Sequence, residues 1–248
     1  MQHRPDVKPV MGSLPVEQAT MYKDEEEREL MRKASAINDS CMEMVVHAIH
    51  EGATEKELST KVEHFFQENG CNSLGFAIVG MSANGADPHH DADKTVLKEG
   101  DSIVLDIGAP FNHYWCDMTR TVFYKSVSEE QREVYETVRK ANEAAIALIK
   151  PGVAFKEFDL AARKVIEDAG YGEYFTHRTG HSIGMKEHEK PPVASDCEVI
   201  AQPGMVFSIE PGIYLPGKFG VRIEDLVLVT EDGCEVLNKY PKDLIVVK

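Results

Sequence analysis

Paired cysteines, long apolar runs and an excess of positive charge are all missing from this sequence. Its five cysteines, Cys41, Cys71, Cys116, Cys197 and Cys234, are odd in number, widely spaced and form no CxxC pair. That excludes a disulfide framework and a zinc ribbon, and it fits reduced thiols in a cytosolic compartment. The first twenty residues, MQHRPDVKPVMGSLPVEQAT, lack the continuous apolar stretch of a signal peptide. No window approaches the ~18 apolar residues of a membrane span. The expected setting is cytoplasmic. Lys and Arg number 27 against 42 Asp and Glu, a formal net charge of −15. Nucleic acid and anionic membrane both attract basic surfaces, so neither is expected as a partner.

What is present is ordinary globular material: 42% apolar and 28% charged residues over 248 positions, enough for one large domain or two small ones. Residues 1–20 carry three prolines and no helical period, and read as a linker or strap. A helix is expected from about Lys23 to Glu51, with Leu30, Ala34, Ile37, Cys41, Val45 and Ala48 on one face and Gly52 as its stop. Thr54-Glu55-Lys56-Glu57 reads as a capping box opening a second helix closed by Gly70. Ser128-Glu129-Glu130-Gln131 opens a third, through Ile149, and a fourth runs from about Phe155 to Gly170.

These helices repeat. Residues 49–70 and 149–170 align without gaps at an offset of 100, matching Ile49 to Ile149, Gly52 to Gly152, Lys56 to Lys156, Glu57 to Glu157 and Gly70 to Gly170. The pattern predicts two related halves, each a helix pair followed by strands. Phe76–Val79, Ser102–Asp106 and Met118–Phe123 are the expected strands of the first half, with Val206–Ile209 and Val221–Val229 in the second. Helices and strands in blocks favour an α+β domain with antiparallel sheet, and a cleft between the halves.

Four acids stand in that framework where acids are out of place. Asp106 ends the apolar run Ile103-Val104-Leu105, and Asp117 precedes Met118-Thr119-Arg120. A hairpin centred between Phe111 and Asn112 would set the two opposite each other on one face. Glu210 follows Phe207-Ser208-Ile209 and Glu224 follows Val221-Arg222-Ile223, with their midpoint at Gly217 in a second turn. Buried unpaired carboxylates would cost several kcal/mol each or take up protons. Arg120 and Arg222 are near, but two arginines do not balance four acids, whereas two divalent cations would. The segment Thr176–Gly184 supplies a nitrogen ligand in His181, flanked by glycines that allow close approach, and His188 follows seven residues on. His3, His47, His50, His64, His113 and His177 read as ordinary surface or core residues.

The segments VLDIGAPFNHYWCDMTRT, HRTGHSIGMKEHEKP, FSIEPGIY and GVRIED, in this order, resemble the motifs of the pita-bread-fold metallopeptidases, in the prolidase/aminopeptidase P branch. The resemblance covers about residues 23–240. It implies the creatinase/aminopeptidase fold, a pseudo-two-fold curved antiparallel sheet covered by helix pairs, with residues 21–248 as the catalytic domain. It also implies that Asp106, Asp117, His181, Glu210 and Glu224 hold two divalent ions. Asp117 and Glu224 would bridge them, Asp106 would hold one, and His181 and Glu210 the other. Manganese suits the oxygen-rich set first, with cobalt, iron and zinc as alternatives. A water between the ions would be the nucleophile. Glu210 would shuttle its proton, His188 would donate to the carbonyl oxygen, and Arg222 would orient a carboxylate ligand. In Ala86-Asp87-Pro88-His89-His90, His89 rather than His90 matches the family's histidine near the substrate amide nitrogen.

The resemblance implies a peptide substrate cut at an N-terminal Xaa-Pro bond, and leaves pairing with a second copy open. Methionine aminopeptidases share the fold and ligands, and creatinase-like hydrolases and non-catalytic modules share the fold with fewer ligands. Several prolidases place an arginine just after the His-Glu-x-Pro stretch to hold a dipeptide's carboxylate, and here that position is Pro192. The expectation is therefore an Xaa-Pro aminopeptidase acting on longer peptides, with an Xaa-Pro dipeptidase as the alternative. Relatives of this branch usually carry an N-terminal domain, and residues 1–20 would suit the linker that follows one.

Overall fold

A computed structural model describes residues 12–71 and 75–248; His3 and the first part of the expected linker lie outside the described residues. Helix α1 (Ser13–Thr20) lies within the expected linker or strap, where the sequence showed no helical period. Pro15 sits in its first turn, where a missing N–H costs nothing, and the residues after it are tolerant of helix. The helix buries no residue, and Lys190 Nζ tethers it at 3.2 Å to Glu17.

Helix α2 (Glu25–His47) starts on the Asp24 capping box with Glu27 and three acids in its first turn. It buries Met31, Ala34, Asn38, Cys41, Met42 and Val45, a face turned slightly from the expected one. Asn38 causes the turn: its Nδ2 donates to the Ile107 carbonyl at 3.0 Å, and Ile37 is left at the flank. Helix α3 (Glu55–Glu68) is capped by Thr54 as expected, but Glu57 reaches His50 instead of closing the box. Helices α4 (Glu129–Ala147) and α5 (Phe155–Asp168) form the second pair, with the Ser128–Gln131 box complete.

The offset-100 repeat is structural. The N–H groups of Leu97, Glu55 and Lys56 donate to the carbonyls of Ala53, Thr95 and Asp93, and those of Ala201, Phe155 and Lys156 donate to Val153, Val199 and Cys197. Gly52 and Gly152, and Gly70 and Gly170, take matching left-handed conformations near φ +83°, +91°, +84° and +85°. Asn142 in α4 also mirrors Asn38, donating to the Ile209 carbonyl at 2.8 Å.

Strands β1 (Phe76–Met81), β2 (Ser102–Phe111) and β3 (Tyr114–Tyr124) make an antiparallel meander, and β11 (Val246–Val247) joins β3 in parallel. The second half has β4 (Gly180–Ser182), β5 (Glu189–Val193), β6 (Val206–Ile209), β9 (Asp225–Val229) and β10 (Cys234–Val236) in one antiparallel sheet. The hairpin β7 (Gly212–Leu215) and β8 (Phe219–Arg222) stands beside it. The expected single strand Val221–Val229 is broken at Ile223-Glu224, because those N–H groups leave the ladder for the Pro211 and Thr119 carbonyls. Each half has its own apolar core, one under α2 and α3 and one around Phe155, Phe158 and Phe207. All five cysteines are unpaired. No helix among the described residues is long and apolar enough to cross a membrane.

Candidate active site

The β2–β3 turn is Asn112-His113, both left-handed at φ 47° and 73°, the mirror-image geometry that suits a tight hairpin. This shifts the hairpin centre by one residue, so Asp106 faces Thr119 and Asp117 faces Gly108. The two acids are diagonal neighbours rather than directly opposite. They still share a face, because the pairing moves by two residues and side chains alternate with period two. In the second half Gly212 pairs with Arg222 about Gly217, the expected centre. Glu210 and Glu224 sit just beyond those strands, with their N–H groups bonded to the Thr179 and Thr119 carbonyls at 2.8 and 3.1 Å.

All four acids, His181 and His188 line one cavity of about 520 Å³ between the two halves. Asp117, His181 and Glu224 each offer a ligand atom, all within 4.8 Å of one another. His181 Nε2 lies 3.4 Å from Glu210 Oε1 and 3.7 Å from Asp117 Oδ2. Its Nδ1 is 3.2 Å from the Ser182 carbonyl, so the proton belongs there and the Nε2 lone pair faces the acids. Burial lowers the His181 pKa to about 3, which keeps the ring neutral.

The acids are not balanced by protein cations. Arg222 meets Asp106 at 2.5 Å, but Arg120 is turned to Asp225 at 2.8 Å and to the carbonyls of Glu224, Pro241 and Tyr240. Burial first, then the neighbouring anions, push Asp117 and Glu224 well above the usual carboxylate range. Burial raises Glu210 to about 7 against the pull of Arg222. Asp106 Oδ1, Asp117 Oδ1 and Glu224 Oε1 are buried without a hydrogen-bond partner. Three orphaned carboxylate oxygens on the wall of a cavity that also holds a neutral imidazole fit a divalent cation centre.

Of the histidine pair in the 86–90 segment, His89 is on the cavity wall, while His90 Nε2 is held by Glu55 Oε2 at 2.7 Å. The His188 ring lies 4.0 Å from that of His181, nearly perpendicular to it. Three wall or supporting groups escaped sequence reasoning. Thr119 Oγ1 donates to Glu224 Oε2 at 2.7 Å and accepts from Arg222 Nε at 3.1 Å. Tyr214 Oη accepts from Arg222 Nη1 at 2.8 Å and meets His177 Nε2 at 2.8 Å. His177, read among the ordinary surface or core histidines, has both ring nitrogens bonded and also lines the cavity. The signal for it was its place four residues before His181 in the same glycine-flanked run. Arg178 also lines the cavity.

The model of metallopeptidase family M24 matches residues 29–231, and the chain belongs to that family. An Xaa-Pro dipeptidase from Pyrococcus furiosus is 41% identical over 226 residues, covering 91% of this chain and 65% of that protein. Two solved structures cover 98% of this chain. Dipeptidase PepE from Mycobacterium ulcerans has a TM-score of 0.94 at 39% identity, over 66% of its chain. The X-Pro aminopeptidase from Thermotoga maritima has a TM-score of 0.93 at 38% identity, over 69% of its chain. The fold is the α+β pita-bread fold of the prolidases and aminopeptidase P. The chain spans about two thirds of the length of the curated relatives it matches, 66% of a Staphylococcus aureus peptidase and 63% of a Bacillus subtilis putative dipeptidase.

Proposed function

We propose that this chain carries the catalytic site of a two-metal exopeptidase that hydrolyses Xaa-Pro dipeptides. The observation that carries the metal reading is the cluster of Asp117, His181 and Glu224 ligand atoms within 4.8 Å of one another, in a cavity where Asp106, Asp117 and Glu224 each keep a buried carboxylate oxygen without a hydrogen-bond partner. The substrate preference rests on the relatives, among which proteins named Xaa-Pro dipeptidase and dipeptidase predominate over one named X-Pro aminopeptidase. That reverses the order expected from Pro192 alone. The Thermotoga neighbour keeps aminopeptidase action on longer peptides as the second reading.

Asp106, Asp117, His181, Glu210 and Glu224 would hold the two ions, and the oxygen-rich set suits manganese, with cobalt, iron or zinc able to occupy it. Bound there, divalent metal acidifies the attacking water and polarises the scissile carbonyl. Glu210, on the cavity wall beside His181, takes the proton of the attacking water and returns it to the leaving nitrogen. His188 donates a hydrogen bond to the developing oxyanion, and His89, also on the cavity wall, contacts the substrate amide. Arg222 holds the Asp106 carboxylate in place on the cavity wall. The low positive charge agrees with a small peptide as substrate rather than a polyanion.

The test is an assay of purified protein with manganese against Xaa-Pro, Xaa-Pro-Xaa and Met-Ala-Xaa, each with and without chelator. Chelator-sensitive cleavage of Xaa-Pro above Xaa-Pro-Xaa supports the dipeptidase, and the reverse ratio supports the aminopeptidase. Cleavage of Met-Ala-Xaa alone would overturn both.

A further inference from the structure

We propose that Arg178 binds the free C-terminal carboxylate of the substrate and is the residue that selects dipeptides; this rests on the dipeptidase reading above. Among the described residues the cavity is lined by five carboxylates, those of the four acids and Glu187, and by two cationic side chains, Arg178 and Arg222. A dipeptide brings a carboxylate within a few ångströms of its scissile bond, so entry into so acidic a site needs a positive partner. Arg222 is committed, with Nη2 on Asp106 at 2.5 Å, Nη1 on Tyr214 at 2.8 Å and Nε on Thr119 at 3.1 Å. Arg178 has an exposed side chain with no hydrogen bond or ion pair among the described residues. It is the one guanidinium on the wall with its fork free to take a carboxylate through two hydrogen bonds.

The backbone that carries it is fixed on both sides. Arg163 in α5 donates to the Phe175 and His177 carbonyls at 3.2 and 3.0 Å, and its guanidinium lies 4.3 Å from the Phe175 ring centre. Asp159, fully buried, accepts from Thr179 N and Oγ1 at 2.9 and 2.8 Å. Pro192 faces His181 across the β4–β5 ladder and lies outside the set of residues on the cavity wall. A carboxylate anchor has to come from elsewhere, and the wall offers Arg178.

The experiment compares wild type, Arg178→Ala and Arg178→Lys on two substrates, an Xaa-Pro dipeptide with a free carboxylate and its C-terminal amide. Wild type is expected to favour the acid. Arg178→Ala is expected to raise KM for the acid by about 10- to 100-fold, the value of a charged hydrogen-bonded contact, with kcat and the amide nearly unchanged. Arg178→Lys is expected to fall between, because it keeps the charge and loses the fork. Equal losses on acid and amide, or no loss on either, would overturn the role of Arg178 while leaving the dipeptidase reading intact. Failure of wild type to cut either substrate would overturn both.

Discussion

Arg222 Nη2 lies 2.5 Å from Asp106 Oδ2, a contact that joins the two halves of the molecule at the cavity. The same guanidinium reaches Glu224 indirectly, since its Nε donates to Thr119 Oγ1 and Thr119 Oγ1 donates to Glu224 Oε2. One side chain thereby sets the orientation of a carboxylate from each half. Replacing Arg222 by Ala leaves the buried Asp106 carboxylate unpartnered and frees Thr119 to rotate. We expect a loss of about 10- to 100-fold in metal affinity or turnover, read from metal titration and initial rates. An unchanged affinity together with an unchanged rate would remove Arg222 from the site.

Asp117 stands at the centre of the cluster, within reach of His181 and flanked by the charges of Glu224, Asp106 and Glu210. Asp117→Ala is expected to abolish bound metal and peptidase activity together. Metal analysis of the purified variant and a peptide assay check the two arms separately. Full activity in Asp117→Ala would make the two-metal reading wrong.

Much of this geometry was legible in the sequence, and the reasons differ between the halves. The β7–β8 centre at Gly217 follows from a Pro-Gly-Lys turn between two short apolar runs, and the structure pairs Gly212 with Arg222 about it. The β2–β3 centre was displaced by one residue, because Asn112 and His113 both adopt left-handed backbone that Pro110 does not announce. Alternation saved the conclusion that Asp106 and Asp117 share a face, since a two-residue slip in pairing preserves parity. The offset-100 repeat predicted the matched helix pairs. Thr119, Tyr214 and His177 were not legible as a set, because each acts through a partner 37 to 105 residues away. Isolated hydroxyls and a lone ring carry no local period.

Metal should govern stability as well as activity. Burial raises Glu210 from an ordinary value of 4.5 to about 7, and moves Asp117 and Glu224 in the same direction. A carboxyl held above its unfolded value favours the fold while protonated, so its contribution is present below the unfolded pKa and is lost as pH rises through the folded one. Metal-free protein is therefore expected to lose thermal stability between about pH 4.5 and pH 7 as Glu210 ionises against its neighbours. Metal reverses the slope, because the ions bind the ionised ligands and compete with protons. An ion at about a hundredfold its dissociation constant adds about 2.7 kcal/mol. Melting curves across this range, with chelator and with manganese, check the crossover; parallel curves would mean the acids hold no ion.

His188 separates catalysis from metal binding. Its ring is 55% exposed, lies edge-on to His181 at 4.0 Å, and forms no hydrogen bond to the four acids. Burial, the larger influence, and the positive charge of Arg178 lower its pKa, opposed by Glu187, so the ring is neutral at neutral pH and can donate without carrying charge. His188→Ala removes a donor to the oxyanion and leaves the ligand set complete. The expected result is a fall in kcat of about 10²- to 10³-fold with full metal content and unchanged melting temperature. His188→Gln keeps a donor of similar reach and should recover part of that rate. Loss of metal in the alanine variant would reassign His188 from donor to ligand, and would move the second nitrogen of the site from the substrate side to the ion.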